Sequence, residues 1–288
     1  MDKFIFEAIG TRWQIDFNDD WPAEKQSDLR QQIEDRIEIF DQTYSRFRPD
    51  SLVTAMAKNQ GTYTLPADAK PLLSLYQELY NITEGAFTPL IGQVLVDAGY
   101  DAKYRLKPKK LRPPARWAEV MDYQPPQLTL KKPVWLDFGA AGKGYLIDLV
   151  GELLKQKGLN SFCIDAGGDI LQQSEKNRLL RVGLEDPRNA QRVIGLAKIT
   201  NCSLCGSAGS RRQWDRFHHI IDPRRLESPK HILAVWVMAK TALIADALTT
   251  CLYFFPAESL EPHYSFEYLI LYPDNSIKKS ENFPAEIF

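Results

Sequence analysis

Three short segments of this 288-residue chain carry the side chains best suited to phosphate chemistry. In the first, residues 135–145, a short apolar run leads into small residues, Lys143 and a predicted helix. Small residues let the backbone approach a ligand closely, and the amides and dipole at a helix start favour an anion. Neither the P-loop pattern nor the Rossmann glycine pattern is present, which disfavours a generic nucleotide triphosphatase. The segment therefore predicts a phosphate-binding bend of another kind.

The second segment, residues 245–250, places a carboxylate and a hydroxyl one helical turn apart. Asp246 and Thr250 are four residues apart, so they lie on the same face of a helix. Together with a backbone carbonyl from a facing loop, these hard oxygens suit Mg²⁺, which shares its remaining positions with water and substrate phosphates. In the structural alternative, Asp246 only caps a helix or pairs with a cation.

The third segment contains His218 and His219, the only adjacent pair among four histidines. Neighbours in a strand point to opposite faces, so at most one of the two enters a site. A satisfied structural histidine is the alternative for either of them. The following Asp222 precedes a proline and is expected to begin a turn.

Composition limits the classes of function. The hydrophobic share of 44% and the charged share of 25% are typical of a globular protein. A formal charge of −1 argues against a nucleic-acid binder, and the basic run 107–112 fits a solvated loop. Four cysteines in a chain of this length do not form a disulfide framework, although Cys202 and Cys205 have the spacing of a redox or metal pair.

No targeting or membrane segment is predicted. Residues 1–7 lack the apolar core of a signal peptide, so we expect a cytoplasmic protein. The longest apolar stretch, residues 241–255, is interrupted by Asp246 and is too short to span a bilayer.

Periodicity predicts an α+β protein. A strand is expected over 4–17, and Pro22 marks the start of a helix whose apolar stripe ends at Tyr44. Asp68 is expected to cap a second helix that ends near Gly85. The proline-rich segment 105–133 is predicted to be a surface excursion with one short helix around 116–121, and it is the best domain boundary. Further strands are expected at 134–138, 161–165, 179–184, 193–199, 233–239 and 266–272, and helices at 146–158 and 242–254.

These elements favour α+β architecture with mixed or mainly antiparallel sheets covered by helices. We expect one domain over residues 1–288; two internal halves, about 1–133 and 134–288, are an alternative within it. No short-period repeat or low-complexity tract is present.

The ordered series of segments resembles the FAD:protein FMN transferase family, also called the ApbE family. Nearly the whole chain takes part in this resemblance. The segments that carry it are Ile9–Gly10–Thr11, residues 44–51, residues 83–89, residues 136–145 with Asp148, Gly167–Gly168–Asp169, residues 219–224 and residues 245–250.

The resemblance implies a duplicated, T-fold-like architecture with FAD in a cleft between the halves. It also implies Mg²⁺-assisted transfer of FMN from FAD to a threonine of an acceptor protein, with release of AMP. By position, Asp246, Thr250 and the carbonyl of Ala140 would hold the metal, and His219 would accept a proton or bind phosphate. The positions implied to contact FAD are Phe47, Ala86, Phe87, Thr88, Asp137, Lys143 and Ile220.

The chain departs from the usual family pattern at several positions expected to line the site. Gly206–Ser207–Ala208–Gly209 stands where Thr-Ser-Gly-Asp is usual, and Arg225–Leu226 replaces Thr-Gly. Ile9, Phe47 and Thr88 are further replacements. The implied metal set is intact, so we expect a divergent but competent member. The alternatives are a non-catalytic FAD-binding or assembly protein, a Mg²⁺-dependent FAD pyrophosphatase, and a redox protein acting through Cys202 and Cys205.

Overall fold

The computed structural model describes residues 2–17 and 23–288. The predicted helix start at Pro22 lies outside these described residues. The strands are β1 (Asp2–Ala8), β2 (Thr11–Phe17), β3 (Gly61–Thr64), β4 (Met121–Gln124), β5 (Gln127–Leu130), β6 (Phe162–Ala166), β7 (Asp169–Gln173), β8 (Leu180–Asp186), β9 (Asn189–Ile199), β10 (Ser203–Ala208), β11 (Gln213–Trp214), β12 (Phe217–His218), β13 (Ala234–Ala239), β14 (Phe266–Leu271), β15 (Ile277–Lys279) and β16 (Ala285–Ile287).

Helices separate these strands along the chain. They are α1 (Ala23–Tyr44), α2 (Leu52–Met56), α3 (Ala69–Ile82), α4 (Gly92–Asp97), α5 (Trp117–Val120), α6 (Gly142–Gln156) and α7 (Ala242–Cys251). Short 3-10 helices occur at Pro89–Ile91, Gly209–Arg212 and Ala257–Ser259.

The central feature is an eight-stranded sheet in the order β1-β2-β6-β7-β10-β13-β14-β15. Every strand pair in the described ranges is antiparallel, which confirms the predicted α+β class with mainly antiparallel sheets. β2 pairs with β6, so strands from before and after residue 133 belong to one sheet. The division into two halves, like the single domain, stays a prediction.

Helices α1, α6 and α7 pack together against the large sheet. The stripe predicted on α1, Leu29, Ile33, Ile37, Phe40 and Tyr44, is buried in this core. Burial of such a stripe is the main source of stability for an amphipathic helix. The predicted helices over 68–82 and 146–158 are likewise confirmed as α3 and α6.

Helices α6 and α7 approach each other most closely at Gly144. A Cβ at Gly144 would lie 2.1 Å from the carbonyl oxygen of Ala242 and 2.7 Å from Cβ of Asp246, so only glycine fits there. Four residues along α6, the Asp148 carboxylate accepts hydrogen bonds from the amides of Ala242 (2.9 Å) and Leu243 (2.8 Å). Asp148 therefore caps the start of α7 and fixes α7 against α6.

The other face of the large sheet is covered by a three-stranded sheet in the order β16-β9-β8. Leu184, Ala197, Ile199 and Phe283 from this layer are buried against Trp236 and its neighbours. A third sheet, β3-β5-β4, lies within the segments before residue 131.

The single strand predicted over 4–17 is wrong, because this segment is a hairpin. Ile9 (φ 45°) and Gly10 (φ 76°) form a two-residue turn, and Ala8 pairs with Thr11. A two-residue turn leaves the alternation of apolar residues almost uninterrupted, so periodicity alone joins the two strands.

The strand predicted over 134–138 is also wrong. The segment is extended, but its amides bond to loops: Val134 N donates to Met56 O (3.2 Å) and Asp137 N donates to Pro89 O (2.8 Å). An apolar run indicates burial, whereas a strand also needs a neighbouring strand to pair with.

Two further expectations need correction. Asp68 occupies the cap position of α3, but its side chain makes no cap bond and pairs with Arg36 of α1 instead. The predicted surface excursion 105–133 contains the short helix α5 near the expected place, and it also contains strands β4 and β5, which were not predicted.

Candidate functional site

A cavity of about 940 Å³ brings the predicted site residues together. Its wall includes the bend before α6, the inward face of α7, and parts of β7, β8, β10 and β13. The predicted site residues that line it are Phe47, Ala86, Phe87, Thr88, Asp137, Ala140, Lys143, His219, Ile220, Asp246 and Thr250. Residues spread over about 200 positions of sequence therefore share one cleft.

Helix α7 presents Asp246 and Thr250 to this cavity. Asp246 is buried, and its Oδ2 accepts a hydrogen bond from the amide of Gly144 (2.8 Å). This bond occupies one of the amides at the start of α6 that we expected to face a ligand. Thr250 lies one turn further on, and its hydroxyl makes no hydrogen bond within the described ranges.

The neighbouring Thr249 is engaged elsewhere. Its hydroxyl donates to Asp246 O (2.7 Å) and lies 2.8 Å from Ser207 Oγ. Thr249 is thus a structural group, while Thr250 has an oxygen available to a ligand.

Lys143 pairs with Asp169, which lies 26 positions later in the chain. Its ammonium forms an ion pair with Asp169 Oδ2, and Asp169 Oδ1 accepts from Gly206 N (3.0 Å). Burial would lower the pKa of Lys143, but the carboxylates of Asp169 and Asp246 raise it above its ordinary value. Lys143 is therefore charged at neutral pH.

The charge balance of this cluster favours a bound cation. Burial, followed by the negative charge of Asp169, raises the pKa of Asp246 to about 8. Two carboxylates, Asp169 and Asp246, face one ammonium, Lys143, so a cation that binds Asp246 would replace the proton held there and balance the second carboxylate. In the described part of the chain no three His, Cys, Asp or Glu side chains gather as a metal cluster. The predicted ligands are instead one carboxylate, one hydroxyl and one carbonyl.

Asp137 is held by protein groups on both oxygens. Oδ2 pairs with the guanidinium of Arg46, and Oδ1 accepts from Gly139 N (2.8 Å), which shapes the bend. Arg46 was not predicted as a site residue. Its side chain is 2% exposed, Nη1 donates to Tyr100 O (2.8 Å), and Nη2 is buried without a partner. A buried donor without a partner suits an acceptor oxygen of a ligand. The signal in the sequence was its place beside Phe47 within the segment 44–51 that carries the family resemblance.

An aromatic wall continues from Arg46. The guanidinium carbon lies 4.2 Å from the centroid of the Phe47 ring, and Phe47 stacks on Tyr104 with centroids 5.5 Å apart. Tyr104 is 54% exposed although it lies in the cavity wall, and its backbone has φ 48°. Such an exposed ring can stack on a planar group of a ligand. Tyr104 was missed because it lies in a segment predicted to border a surface excursion.

The segment 86–88 forms the opposite rim. Thr88 Oγ1 accepts from Leu90 N (3.2 Å) and caps the following 3-10 helix. Phe87 is almost fully buried and stacks on Tyr76, so it supports the wall, while Ala86 and Thr88 complete it.

The two histidines differ as predicted. His218 turns away from the cavity, with Nε2 2.9 Å from Pro229 O. His219 lines the cavity, and its Nδ1 is buried without a partner. Burial and then the charge of Arg212 lower the pKa of His219 to about 3. Its imidazole is therefore neutral at pH 7 and has a free lone pair.

The positions that depart from the usual family pattern divide into two groups in the structure. Ile9, Phe47, Thr88, Gly206 and Ala208 line the cavity, as expected. For Gly209, Arg225 and Leu226 the expectation is wrong. Arg225 and Leu226 lie on a separate cavity of about 670 Å³ because the turn after Asp222 carries them away from the main cleft. Leu226 has φ 58°, a conformation that glycine adopts more readily.

The surroundings of Cys202 and Cys205 do not favour the redox interpretation. A reactive thiol needs a lowered pKa. Burial raises the pKa of all four cysteines, and Cys205 is fully buried in β10 with Sγ 3.7 Å from Ala242 O. Among the described residues, no helix combines the length and apolar character needed to cross a membrane.

Comparison with known proteins agrees with the resemblance seen in the sequence. A family model described as the ApbE family matches residues 9–264. The FAD:protein FMN transferase of Haemophilus influenzae is 26% identical over 93% of this chain and 86% of its own length. The FAD:protein FMN transferase of Treponema pallidum is 24% identical over 95% and 85%, respectively.

Solved structures show the same fold. The ApbE protein of Thermotoga maritima superposes with a TM-score of 0.83 at 20% identity, covering 99% of both chains. The flavin transferase ApbE from Vibrio cholerae gives a TM-score of 0.82 at 19% identity, over 98% of this chain and 97% of that one. With a family match over most of its length and this shared fold, the chain belongs to the ApbE family.

Proposed function

We propose that this protein is an FAD:protein FMN transferase that moves FMN from FAD to a threonine hydroxyl of an acceptor protein and releases AMP, assisted by Mg²⁺. The observation that carries the proposal is the convergence of Asp246, Thr250, Ala140 and Lys143 on one cavity in a chain of the ApbE family. The cavity, about 940 Å³, is at the upper end of the size range of ligand pockets and suits a dinucleotide.

Asp246, Thr250 and the carbonyl of Ala140 would hold the cation. Asp246, a second carboxylate beside the ion pair of Asp169 and Lys143, supports this set, as does the free hydroxyl of Thr250. Bound Mg²⁺ would supply Lewis-acid neutralisation of charge on the diphosphate oxygens. Lys143, held by Asp169 and directed to the same region, would add a fixed positive charge next to the leaving phosphate.

The remaining lining residues would bind and orient FAD. Phe47 and Tyr104 offer ring faces for stacking, and the buried Arg46 offers an unpaired N–H. Asp137 holds Arg46 and the bend in place. Ala86, Phe87, Thr88 and Ile220 close the wall around the ligand. Holding the reacting groups in line accounts for much of the acceleration in phosphoryl transfer.

In the reaction, the threonine oxygen forms a new bond to the FMN phosphorus while the bond from that phosphorus to the AMP oxygen breaks. The hydroxyl proton goes to a base, and AMP leaves as the anion. His219 lines the cavity with a buried, unpartnered Nδ1, so it would accept that proton or bind phosphate. Its lowered pKa makes it a weak base, so we expect His219 to contribute less than the cation ligand Asp246.

The test is an analysis of products. Purified protein is incubated with FAD, Mg²⁺ and nine-residue peptides with a central threonine, and each peptide is weighed by mass spectrometry. We expect an FMN-sized mass gain and one AMP per modified peptide, with no gain when threonine is replaced by valine. Free FMN in place of modified peptide would identify an FAD pyrophosphatase. Bound FAD with no AMP would identify a non-catalytic flavin-binding protein. A cytoplasmic location stays a prediction.

A further inference from the structure

One wall of the cavity is the edge of a strand. Leu180, Arg181, Val182 and Gly183 are consecutive in β8, and all four line the cavity. Leu180 and Val182 pack on the core, whereas Arg181 and Gly183 are exposed, so their side chains point to opposite faces as in any strand. Consecutive residues can all border one space only if the strand presents its edge to that space.

This edge has no partner strand. β8 is the last strand in the order β16-β9-β8 and pairs only with β9. Within the described ranges, no backbone hydrogen bond joins residues 180–186 to any other segment. Every second residue of β8 therefore turns its N–H and C=O groups toward the cavity.

Folded proteins usually protect such an edge because it invites pairing with another chain. Proline is absent from β8, and its bulge lies only near its end, between Leu184 and Asp186. Glu185 is paired with Arg211, while Arg181 forms no ion pair with any described residue. About five residues, Leu180–Leu184, are thus open for pairing, a length of about 16 Å.

An extended polypeptide is the ligand that matches this edge. Its donors and acceptors alternate with the same repeat as those of β8, whereas a dinucleotide has no such row. The same cavity is lined by Asp246 and Lys143, the groups proposed to bind the cation and the phosphate, so a chain bound along β8 would enter the space where FMN would be transferred. Arg181 adds a positive charge suited to an acidic neighbour in that chain.

We propose that the free edge of β8 docks the threonine-bearing segment of the acceptor protein, which binds as an added strand. This inference rests on the proposed function, because it names how the acceptor reaches the same site. Side chains alternate along an added strand, so the reactive threonine and the residues two positions away would share one face. Along the added strand, the backbone amide of every second residue would donate to β8, and the amides between them would donate to solvent.

An N-methyl scan of a nine-residue threonine peptide that the enzyme modifies tests this docking. One N-methyl group is placed on each backbone nitrogen in turn, and kcat/KM for peptide modification is measured at saturating FAD. We expect losses with a period of two: about tenfold at each amide that bonds to β8, the factor corresponding to one lost hydrogen bond, and little change between them. Losses without that alternation would overturn the proposal.

A second measurement follows β8 itself. The same peptide with valine in place of threonine is added to the FAD-loaded protein, and amide hydrogen exchange is recorded. We expect alternate amides of residues 180–184 to exchange about tenfold more slowly, with the outer edge of β15 as the unprotected control. Unchanged exchange in β8 would also overturn the docking. If the wild-type enzyme modifies no peptide and no protein, the proposed function itself fails, and this inference fails with it.

Discussion

Asp246→Asn is the substitution that separates the proposed cation site from the fold most clearly. In the structure, Asp246 Oδ2 accepts from Gly144 N at 2.8 Å, and the amide oxygen of asparagine can accept the same bond. The contact between α6 and α7 at Gly144 is therefore retained. What changes is the charge that the proposed Mg²⁺ site offers.

The magnitude follows from that charge. When a cation binds, Asp246 gives up its proton and contributes one negative charge, and the substitution removes that charge. Two unit charges about 4 Å apart attract by about 4 kcal/mol at an effective dielectric of about 20. This corresponds to about a thousandfold weaker binding. We expect the Mg²⁺ concentration for half-maximal AMP release to rise by at least this factor.

The Asp246→Asn substitution should weaken Mg²⁺ binding without lowering the stability of the metal-free protein. The pKa of Asp246 in the folded protein is about 8, above the value of about 3.9 for a free aspartate. The folded state therefore keeps a proton that the unfolded state releases, and stability falls as the pH rises from about 4 through about 8. Asparagine does not lose a proton. At pH 8 in EDTA, the variant should unfold at the same temperature as the parent or at a higher one.

The assay is chromatographic measurement of AMP across a Mg²⁺ titration, with FAD binding followed by fluorescence. Glu152→Gln makes the same acid-to-amide change on an exposed part of α6 and serves as the matched control. An unchanged half-saturating Mg²⁺ concentration in Asp246→Asn would show that this carboxylate does not hold the cation.

Four further predictions concern neighbouring groups. Thr250→Val should lower AMP release at least about tenfold with a stability change within about 0.5 kcal/mol, because its hydroxyl bonds to no described protein group. Thr249→Val should instead lower the free energy of unfolding, measured with urea, by about 1–2 kcal/mol, because the hydroxyl of Thr249 makes two hydrogen bonds. The folded Thr249→Val enzyme should stay active. Asp148→Asn should cost about 1–2 kcal/mol in the same measurement, because an amide replaces one of the two oxygens that cap α7. The pKa of His219 is about 3 in the folded protein, below its unfolded value of about 6.5, so its contribution to stability is lost as the pH falls through this range. Between pH 7 and pH 4, the melting temperature of His219→Gln should therefore fall by less than that of the parent.

Each of these predictions has a contrary result. Equal loss of AMP release in Thr250→Val and Thr249→Val would show that Thr250 is not a cation ligand distinct from the structural Thr249. An unchanged urea midpoint for Asp148→Asn would show that α7 does not need its cap. Parallel melting-temperature curves for His219→Gln and the parent would show that the imidazole is not held neutral.

Local patterns predicted the elements that position the site. The stripe on α1 and the helices α6 and α7 follow from spacing alone, because burial of one face is encoded within a few turns. The convergence of Asp246 and Thr250 on one face follows from the same geometry. That they share a cavity with Ala140 was expected only from the family resemblance, since the crossing of α6 and α7 depends on the absence of a side chain at Gly144.

Contacts set by the order of strands were not predictable. Lys143 pairs with Asp169 across 26 positions because β7 begins next to the start of α6, and nothing near either residue indicates this. The buried pair of Arg46 and Asp137 depends equally on tertiary packing. The hairpin of β1 and β2 was missed because a two-residue turn preserves alternation, and the open edge of β8 appears only once the sheet is assembled.

We propose that α7 and the bend before α6 bind a divalent cation and the diphosphate of FAD. A crystal structure with FAD and Mn²⁺ bound, in which manganese is located by its anomalous scattering, tests this proposal. We expect a manganese peak about 2.0–2.3 Å from a carboxylate oxygen of Asp246, Thr250 Oγ1 and the carbonyl oxygen of Ala140, with a diphosphate oxygen as a further ligand. A peak elsewhere in the cavity, or FAD bound with its diphosphate away from Asp246, would contradict it.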